Sequence, residues 1–257
     1  MTQDDGWKKL EWRFIPMETH TAAQNMALDE ACAHALAEGK VNPTIRFYRW
    51  QPSAVSIGYF QSLRQEVDVE ACTEQGIDMV RRRTGGGAVY HDYDGEITYS
   101  VIAPEKAFSP NIIDSYRQVG EWIIHGLEQL GVEATFVPIN DLVVKGKKIS
   151  GNAQTRRNSI FQMHGTILVD VDVDKMFSLL KVPDEKVRDK IISTVKERVT
   201  SLRASGVNSY DSAYEALKDS FLAGKKWTEG EWSDEEKEKT AILAETKYGH
   251  PSWNEMR

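Results

Sequence analysis

Between residues 21 and 39 the apolar positions Leu28, Cys32 and Leu36 recur every four residues, the period of a buried helical stripe. Thr21 and Gln24 stand three apart in front of that stripe, as a capping box requires, and Gly39 offers a stop after about Glu38. The stripe makes Cys32 a packing residue rather than a nucleophile. A second strong helix is expected over residues 111–130, closed by Gly131, and a short one over residues 67–75, closed by Gly76. Cys72 falls in that short helix among charged neighbours. Strand-like runs occupy residues 11–15, 44–48, 54–58, 77–82 and 96–103, with a turn at Trp50-Gln51-Pro52-Ser53 between the second and third. Residues 134–137, 142–144, 147–149 and 160–169 read as further short strands, with Lys145-Gly146 as a hairpin turn. After Asp170 the pattern turns helical, over residues 176–180, 186–193, 211–222 and 233–247. Strands and helices mix without regular βαβ alternation. The fold class expected is therefore α+β, a mixed or antiparallel sheet flanked by helices.

A chain of 257 residues suits one large α/β domain or one domain plus a small appendage, and with no clear linker residues 1–257 are read as one domain with a helical C-terminal part from about 174 to 257. The formal net charge is −7, which argues against a nucleic-acid partner of the broad basic type and makes any arginine cluster a local device. Two cysteines, Cys32 and Cys72, are too few for a disulfide framework or a four-thiolate zinc site. The polar start and the absence of a long apolar run point to a cytoplasmic protein without a membrane partner.

Three clusters carry candidate chemistry. The first is Arg81-Arg82-Arg83-Thr84-Gly85-Gly86-Gly87, followed by Ala88-Val89-Tyr90-His91-Asp92. Successive backbone N–H groups in a glycine loop can cradle an anion, and three arginines stand at its entrance. A flexible turn with solvated arginines has the same composition. Strand alternation sends Arg81 and Arg83 to one face and Arg82 to the other, so at most one or two reach a shared site. Neither Gly-x-x-x-x-Gly-Lys-Ser/Thr nor Gly-x-Gly-x-x-Gly occurs.

The second cluster runs from Asn140-Asp141 to Lys148-Ile149-Ser150-Gly151-Asn152-Ala153. An Asn-Asp pair can hold Mg²⁺, a lysine can stabilise charge developing on phosphate, and Ser150, Gly151 and Ala153 are small enough to admit a nucleotide. An exposed hairpin with solubilising lysines fits as well. The third is Met163-His164-Gly165-Thr166 at a strand start, and a lone histidine such as His164 is more often structural than catalytic. No zinc ligand set and no Gly-x-Ser-x-Gly elbow is present.

In their order and spacing these clusters resemble the lipoate–protein ligase A family of the biotin/lipoate ligase superfamily. The resemblance extends through Asn25-Met26-Ala27-Leu28-Asp29-Glu30, Val55-Ser56-Ile57-Gly58 and Arg198-Val199-Thr200-Ser201-Leu202 to Trp253-Asn254, and so covers nearly the whole chain. It implies ATP-dependent activation of lipoate to lipoyl-AMP, then transfer to a lysine of an acceptor lipoyl domain of the 2-oxoacid dehydrogenase E2 or glycine-cleavage H type. ATP, Mg²⁺ and lipoate are the small molecules it implies. Carried over by motif, Lys148 is the catalytic cation and Asp141 the metal ligand, with Asn140 beside it. Arg82, Gly86, Gly87, Ala88, Val89 and Tyr90 line lipoyl-adenylate, with Ser150, Gly151 and Ala153 on the nucleotide side. His91 and His164 flank the acyl tunnel, and Asp29 stands near the dithiolane where the family often has glutamate. The loop over residues 197–202 folds across the adenylate. Bacterial members often carry an accessory domain after the Trp-Asn segment, and some relatives, archaeal ones included, supply it as a separate small protein. A separate accessory subunit is therefore expected.

Three other readings compete. An octanoyl or lipoyl transferase on the same fold works through a cysteine thioester, and both cysteines here sit in predicted helices away from the glycine loop. A biotin ligase has a loop richer in Gly-Arg repeats than this one. A non-catalytic lipoyl-carrier binder has no need of Lys148, Asn140 and Asp141.

Overall fold

The computed structural model describes residues 6–182 and 185–257; the first five residues of the polar start lie outside them. The chain opens with β1 (Glu11–His20), α1 (Ala22–Ala37), β2 (Thr44–Trp50) and β3 (Ala54–Ile57). Two short helices, α2 (Leu63–Glu66) and α3 (Val69–Glu74), lead to β4 (Asp78–Arg81), β5 (Val89–His91) and β6 (Glu96–Pro104). The long α4 (Ile112–Gln129) precedes β7 (Ala134–Val137), β8 (Asp141–Val144), β9 (Lys147–Arg157) and β10 (Ile160–Leu168). Then come α5 (Val173–Leu179), α6 (Arg188–Arg198), α7 (Tyr210–Leu222), β11 (Lys226–Glu229), α8 (Asp234–Leu243) and α9 (Pro251–Asn254).

Among the described residues eight strands form one mixed sheet in the order β11-β1-β2-β6-β10-β9-β8-β7, and three form a second in the order β4-β3-β5. β1 runs parallel to β2 and β11, and the pairs from β2 to β7 are antiparallel. This is the α+β class with a mixed sheet flanked by helices.

Alternation along the strands sorts the large sheet into two faces. Ile45 and Phe47 of β2, Ile97, Tyr99 and Val101 of β6, and Phe161 and Met163 of β10 pack into one core with Trp122, Ile123 and Leu127 of α4 and Leu217 and Phe221 of α7. The opposite face carries Arg46, Tyr48, Glu96, Thr98, Ser100, Gln162 and His164, all buried. Here α1 lies against Ile15, Ile102 and Ile160 through Leu28, Cys32 and Leu36, the stripe that the sequence displays. Polar side chains buried under a helix must find partners among themselves, since each unpaired one costs roughly 1–3 kcal/mol. The site is built on this face.

The helix ends follow the sequence signals. Thr21 and Gln24 close a reciprocal capping box, Asn111 caps α4 through its side chain, and Gly39, Gly76 and Gly131 terminate helices at positive φ. Lys145 and Gly146, both at positive φ, make the β8–β9 hairpin turn. The two strands expected around the Gln51-Pro52 turn are present, in different sheets, so the turn crosses between layers. Several expectations fail. β9 runs to Arg157 instead of stopping at Ile149, because β10 pairs with it from Ser150 to Arg157. β5 and β11 are absent from the sequence reading. Three and four residues are too short for a hydrophobic period, and the bonds that define these strands come from β3 and β1. β11 also lies within the part read as helical. Glu197 and Arg198 end α6, so the expected loop is shorter by two residues.

Candidate active site

The two sheets face each other across a cavity of about 320 Å³. One wall is the glycine loop that joins β4 to β5. The loop packs closely on the end of β3: the Gly86 carbonyl lies 2.0 Å from where a Cβ on Gly58 would stand, so residue 58 has no room for a side chain. Gly86 itself sits at φ +100°.

The three arginines are buried, and the solvated-arginine reading falls with that. Arg81 turns away from the cavity and donates to the carbonyls of Trp253 and Asn254 near the C-terminus and of Tyr59. Arg83 lies 3.9 Å from Glu30. Only Arg82 lines the cavity. Its guanidinium donates to the carbonyls of Gly85 at 2.9 Å and Gly87 at 2.7 Å, and to Ser56 Oγ at 3.0 Å. Burial pulls its pKa down to about 10, so it stays charged near neutrality. Arg82 thus holds the glycine loop shut around its own carbonyls, and its charge reaches the cavity from behind that loop.

The opposite wall is β9. A bulge between Leu142 and Val143 shifts the register against β9. Regular alternation sets Lys148 and Ser150 on one face; the shift instead brings Lys148, Gly151 and Ala153 to the cavity and leaves Ser150 buried outside its lining. Lys148 Nζ lies 2.7 Å from Asp141 Oδ1, both side chains being partly exposed. A Cβ on Gly151 would come within 2.8 Å of Lys148 Cε, so the missing side chain is what leaves the lysine its place. Asn140 reaches the cavity from the β7–β8 connection and donates its amide to the Asn152 carbonyl. Val199 pairs with Lys148, and the Thr200 amide donates to the Lys148 carbonyl at 2.8 Å, so the segment after α6 is seated on β9 beside the lysine.

Gly86, Gly87, Ala88, Val89, Tyr90 and His91 line the glycine-loop side. His164 lines the floor, and Asp29 lies behind it, buried and outside the lining. Asp29 pairs with Arg46 Nε at 3.2 Å and accepts from Ser100 Oγ at 2.6 Å and Gln162 Nε2 at 3.2 Å. Burial pushes its pKa up, but Arg46, His164 and Ser100 outweigh that and hold the carboxyl below its ordinary value. Burial lowers the His164 pKa, with Asp29 opposing in part. Asp29 therefore lies beneath the floor, held by Arg46, Ser100 and Gln162.

Sequence reasoning missed Trp50, Ser56, Glu96 and Thr98, all on the lining. The signal was available: Thr98 and Glu96 alternate with apolar neighbours in a strand that is otherwise core. It could not be read as a site without knowing which helix covers that face.

Among the described residues no group of three or more His, Cys, Asp or Glu side chains is placed to hold a metal ion. Mg²⁺ commonly takes only one or two protein carboxylates and fills its shell with substrate phosphates and water, so Asp141 with Asn140 beside it fits that sparse contribution. The two cysteines of the chain are both buried and neither lines the cavity. Burial pushes the Cys32 thiol up to about 12 and the Cys72 thiol to about 11.

Comparison with known proteins bears on the same residues. The family model described as Lipoyl protein ligase A/B catalytic domain matches residues 21–222. The octanoyltransferase LipM of Brevibacillus brevis is 36% identical over 276 residues, covering 96% of this chain and 99% of the relative. A bi-partite lipoate protein ligase of Thermoplasma acidophilum, described alongside its E2 lipoyl domain, superposes at TM-score 0.87 with 33% identity over 95% of this chain and 96% of that one. A lipoate-protein ligase A bound with ATP superposes at 0.81 with 30% identity, covering 95% and 98%.

Proposed function

The chain belongs to the Lipoyl protein ligase A/B catalytic domain family, and from that membership we propose that it is an ATP-dependent lipoate–protein ligase. The observation that carries this reading over its nearest rival is that the cavity wall carries Lys148, paired at 2.7 Å with Asp141 just outside the lining, and no cysteine. Lipoate enters with its apolar chain toward Trp50 and Met26 and its carboxylate toward Lys148. The carboxylate oxygen attacks the α-phosphorus of ATP; an O–P bond forms and the bond to pyrophosphate breaks. Both reactants are anions, so the charge of Lys148 is needed where they meet, and a positioned donor of this kind contributes on the order of 10²–10³ in rate. Mg²⁺ held by Asp141 supplies charge neutralisation of the phosphates when bound. The glycine loop, with Arg82 behind it, grips the lipoyl-adenylate from the other side, and residues 199–202 cover it. The amine of an acceptor lysine then attacks the carbonyl; a C–N bond forms and AMP leaves.

The acceptor is a lipoyl domain, a reading supported by the E2 domain named with the T. acidophilum ligase. That ligase is described as bi-partite, which supports a second small subunit here. Residues 1–257 act as the catalytic unit.

The curated relatives favour a second reading, octanoyl transfer, since B. brevis LipM carries that name. The two readings share the acyl pocket and the final amide and differ in how the acyl group arrives. The test is a mass spectrum of a lipoyl domain incubated with the protein and either lipoate plus ATP or an octanoyl thioester without ATP. The ligase reading expects modification in the first mixture. Modification in the second alone, or a first reaction indifferent to omission of ATP, refutes it. Repeating the first mixture with a candidate small subunit tests the partner: an unchanged rate sinks that part.

A further inference from the structure

Ser56, His91 and Glu96 come from three different strands, β3, β5 and β6, and meet on the cavity wall. Ser56 Oγ lies 2.7 Å from His91 Nε2, and His91 Nδ1 lies 2.7 Å from Glu96 Oε1. The hydrogen bonds run in one direction. Trp50 Nε1 donates to Thr98 Oγ1 at 2.8 Å, and Thr98 donates to Glu96 Oε1 at 2.8 Å. Glu96 is a carboxylate acceptor, so His91 carries its proton on Nδ1 and leaves Nε2 free to accept from Ser56. The His91 ring is fixed by stacking on Trp50, with centroids 4.1 Å apart at 17°. Arg82 donates to Ser56 Oγ from the other side, which favours the oxyanion of that serine. A nucleophile bonded to a base that a carboxylate orients is the arrangement of acyl-transferring serine sites, which is recognised by geometry and not by sequence order.

A similar set next to it is incomplete. Thr84 Oγ1 reaches His164 Nε2 at 2.8 Å, but His164 Nδ1 is 3.6 Å from Asp29, beyond a hydrogen bond, and Thr84 is outside the lining.

We propose that Ser56 is a second reactive centre of this cavity, able to take an acyl group from a medium-chain acyl thioester as an ester without ATP. The Ser56 proton passes to His91 Nε2 as Oγ attacks the thioester carbonyl. The C–S bond breaks, and the leaving thiolate takes the proton from His91. An amine or water then attacks the ester, the C–O bond breaks, and the proton lost by the attacking group returns through His91 to Ser56. Arg82 lies beside the carbonyl oxygen as charge develops there. No oxidant, metal or nucleotide enters the balance. The inference is independent of the ligase reading, and it gives the pocket a route for thioester donors that its two remote cysteines cannot provide.

The full chain is incubated with the octanoyl thioester of N-acetylcysteamine, quenched in acid and digested. The expected result is an octanoyl adduct on the peptide containing Ser56, removable by hydroxylamine and absent from Ser56→Ala. Ser56→Cys, which keeps the bulk, should carry the adduct as a thioester. His91→Ala should form it at least tenfold more slowly. Glu96 acts as a positioning residue, so Glu96→Gln should lower kcat for 4-nitrophenyl octanoate hydrolysis at least tenfold with KM unchanged. An unmodified wild-type protein, an adduct on another residue, or an undiminished adduct in Ser56→Ala overturns the proposal. Lipoylation by wild type from lipoate and ATP, run alongside, fails or succeeds separately.

Discussion

Replacing Lys148 by alanine separates a chemical role from a structural one by magnitude. Its ammonium lies 2.7 Å from Asp141 Oδ1, with the two side chains 42% and 35% exposed. An ion pair that open to solvent contributes at most about 1 kcal/mol to folding. In a chain of this size 1 kcal/mol moves Tm by roughly 2–4 °C, so Lys148→Ala should melt within about 4 °C of wild type. The same cation facing two anionic reactants is worth far more, because no water replaces it in register: on the order of 10²–10³ in rate, about 2.7–4 kcal/mol of barrier. Lipoate-dependent exchange of pyrophosphate into ATP reads the first half-reaction directly, and differential scanning calorimetry reads the fold. A variant whose exchange rate stays within about threefold of wild type has lost under about 0.7 kcal/mol and refutes the role. So does a variant whose activity loss comes with a Tm drop of about 10 °C, since the lysine then acts through the fold.

Further outcomes follow from the same contacts. Gly151→Ala places a Cβ against the mobile end of Lys148, so activity should fall at least tenfold with Tm nearly unchanged; full activity in the exchange assay would show that the lysine's position is not critical. Asp29→Ala leaves buried Arg46 without its carboxylate, and urea titration should show a loss of about 3–5 kcal/mol; a loss below about 1 kcal/mol would return Asp29 to the candidates for ligand contact. Lys225 is packed with its Nζ 3.5 Å from the Trp122 ring centroid and 4.4 Å from that of Trp7. Burial pulls its pKa down from 10.5 to about 7. The unfolded chain therefore binds the proton more tightly, and wild-type stability should fall as pH drops from 10.5 to about 7 and level off below. Lys225→Met should remove that slope and raise Tm at pH 7, while a lower Tm there would mean that the indole faces stabilise the charge more than burial opposes it.

The sequence by itself determined what local periodicity and turn chemistry carry. The stripe of α1, its capping box, the stops at Gly39, Gly76 and Gly131 and the Lys145-Gly146 turn are all present, because each depends on residues a few positions apart. The α+β class followed from the mixture of periods, and the site was legible as three motifs whose meaning came from their joint resemblance to a family. Tertiary structure alone decided which side chains face one another. Pairing of β9 with β10 extended a strand that local pattern ended early, and a single bulge against β8 turned Ser150 away and brought Lys148 beside Gly151. The burial of all three arginines could not be read from their charge: Arg81 and Arg83 find carbonyls and an acid more than 20 residues away, and Arg82 turns into its own loop, bonding the Gly85 and Gly87 carbonyls and distant Ser56. The Ser56–His91–Glu96 set was invisible for the same reason: it exists only where one sheet lies across the other.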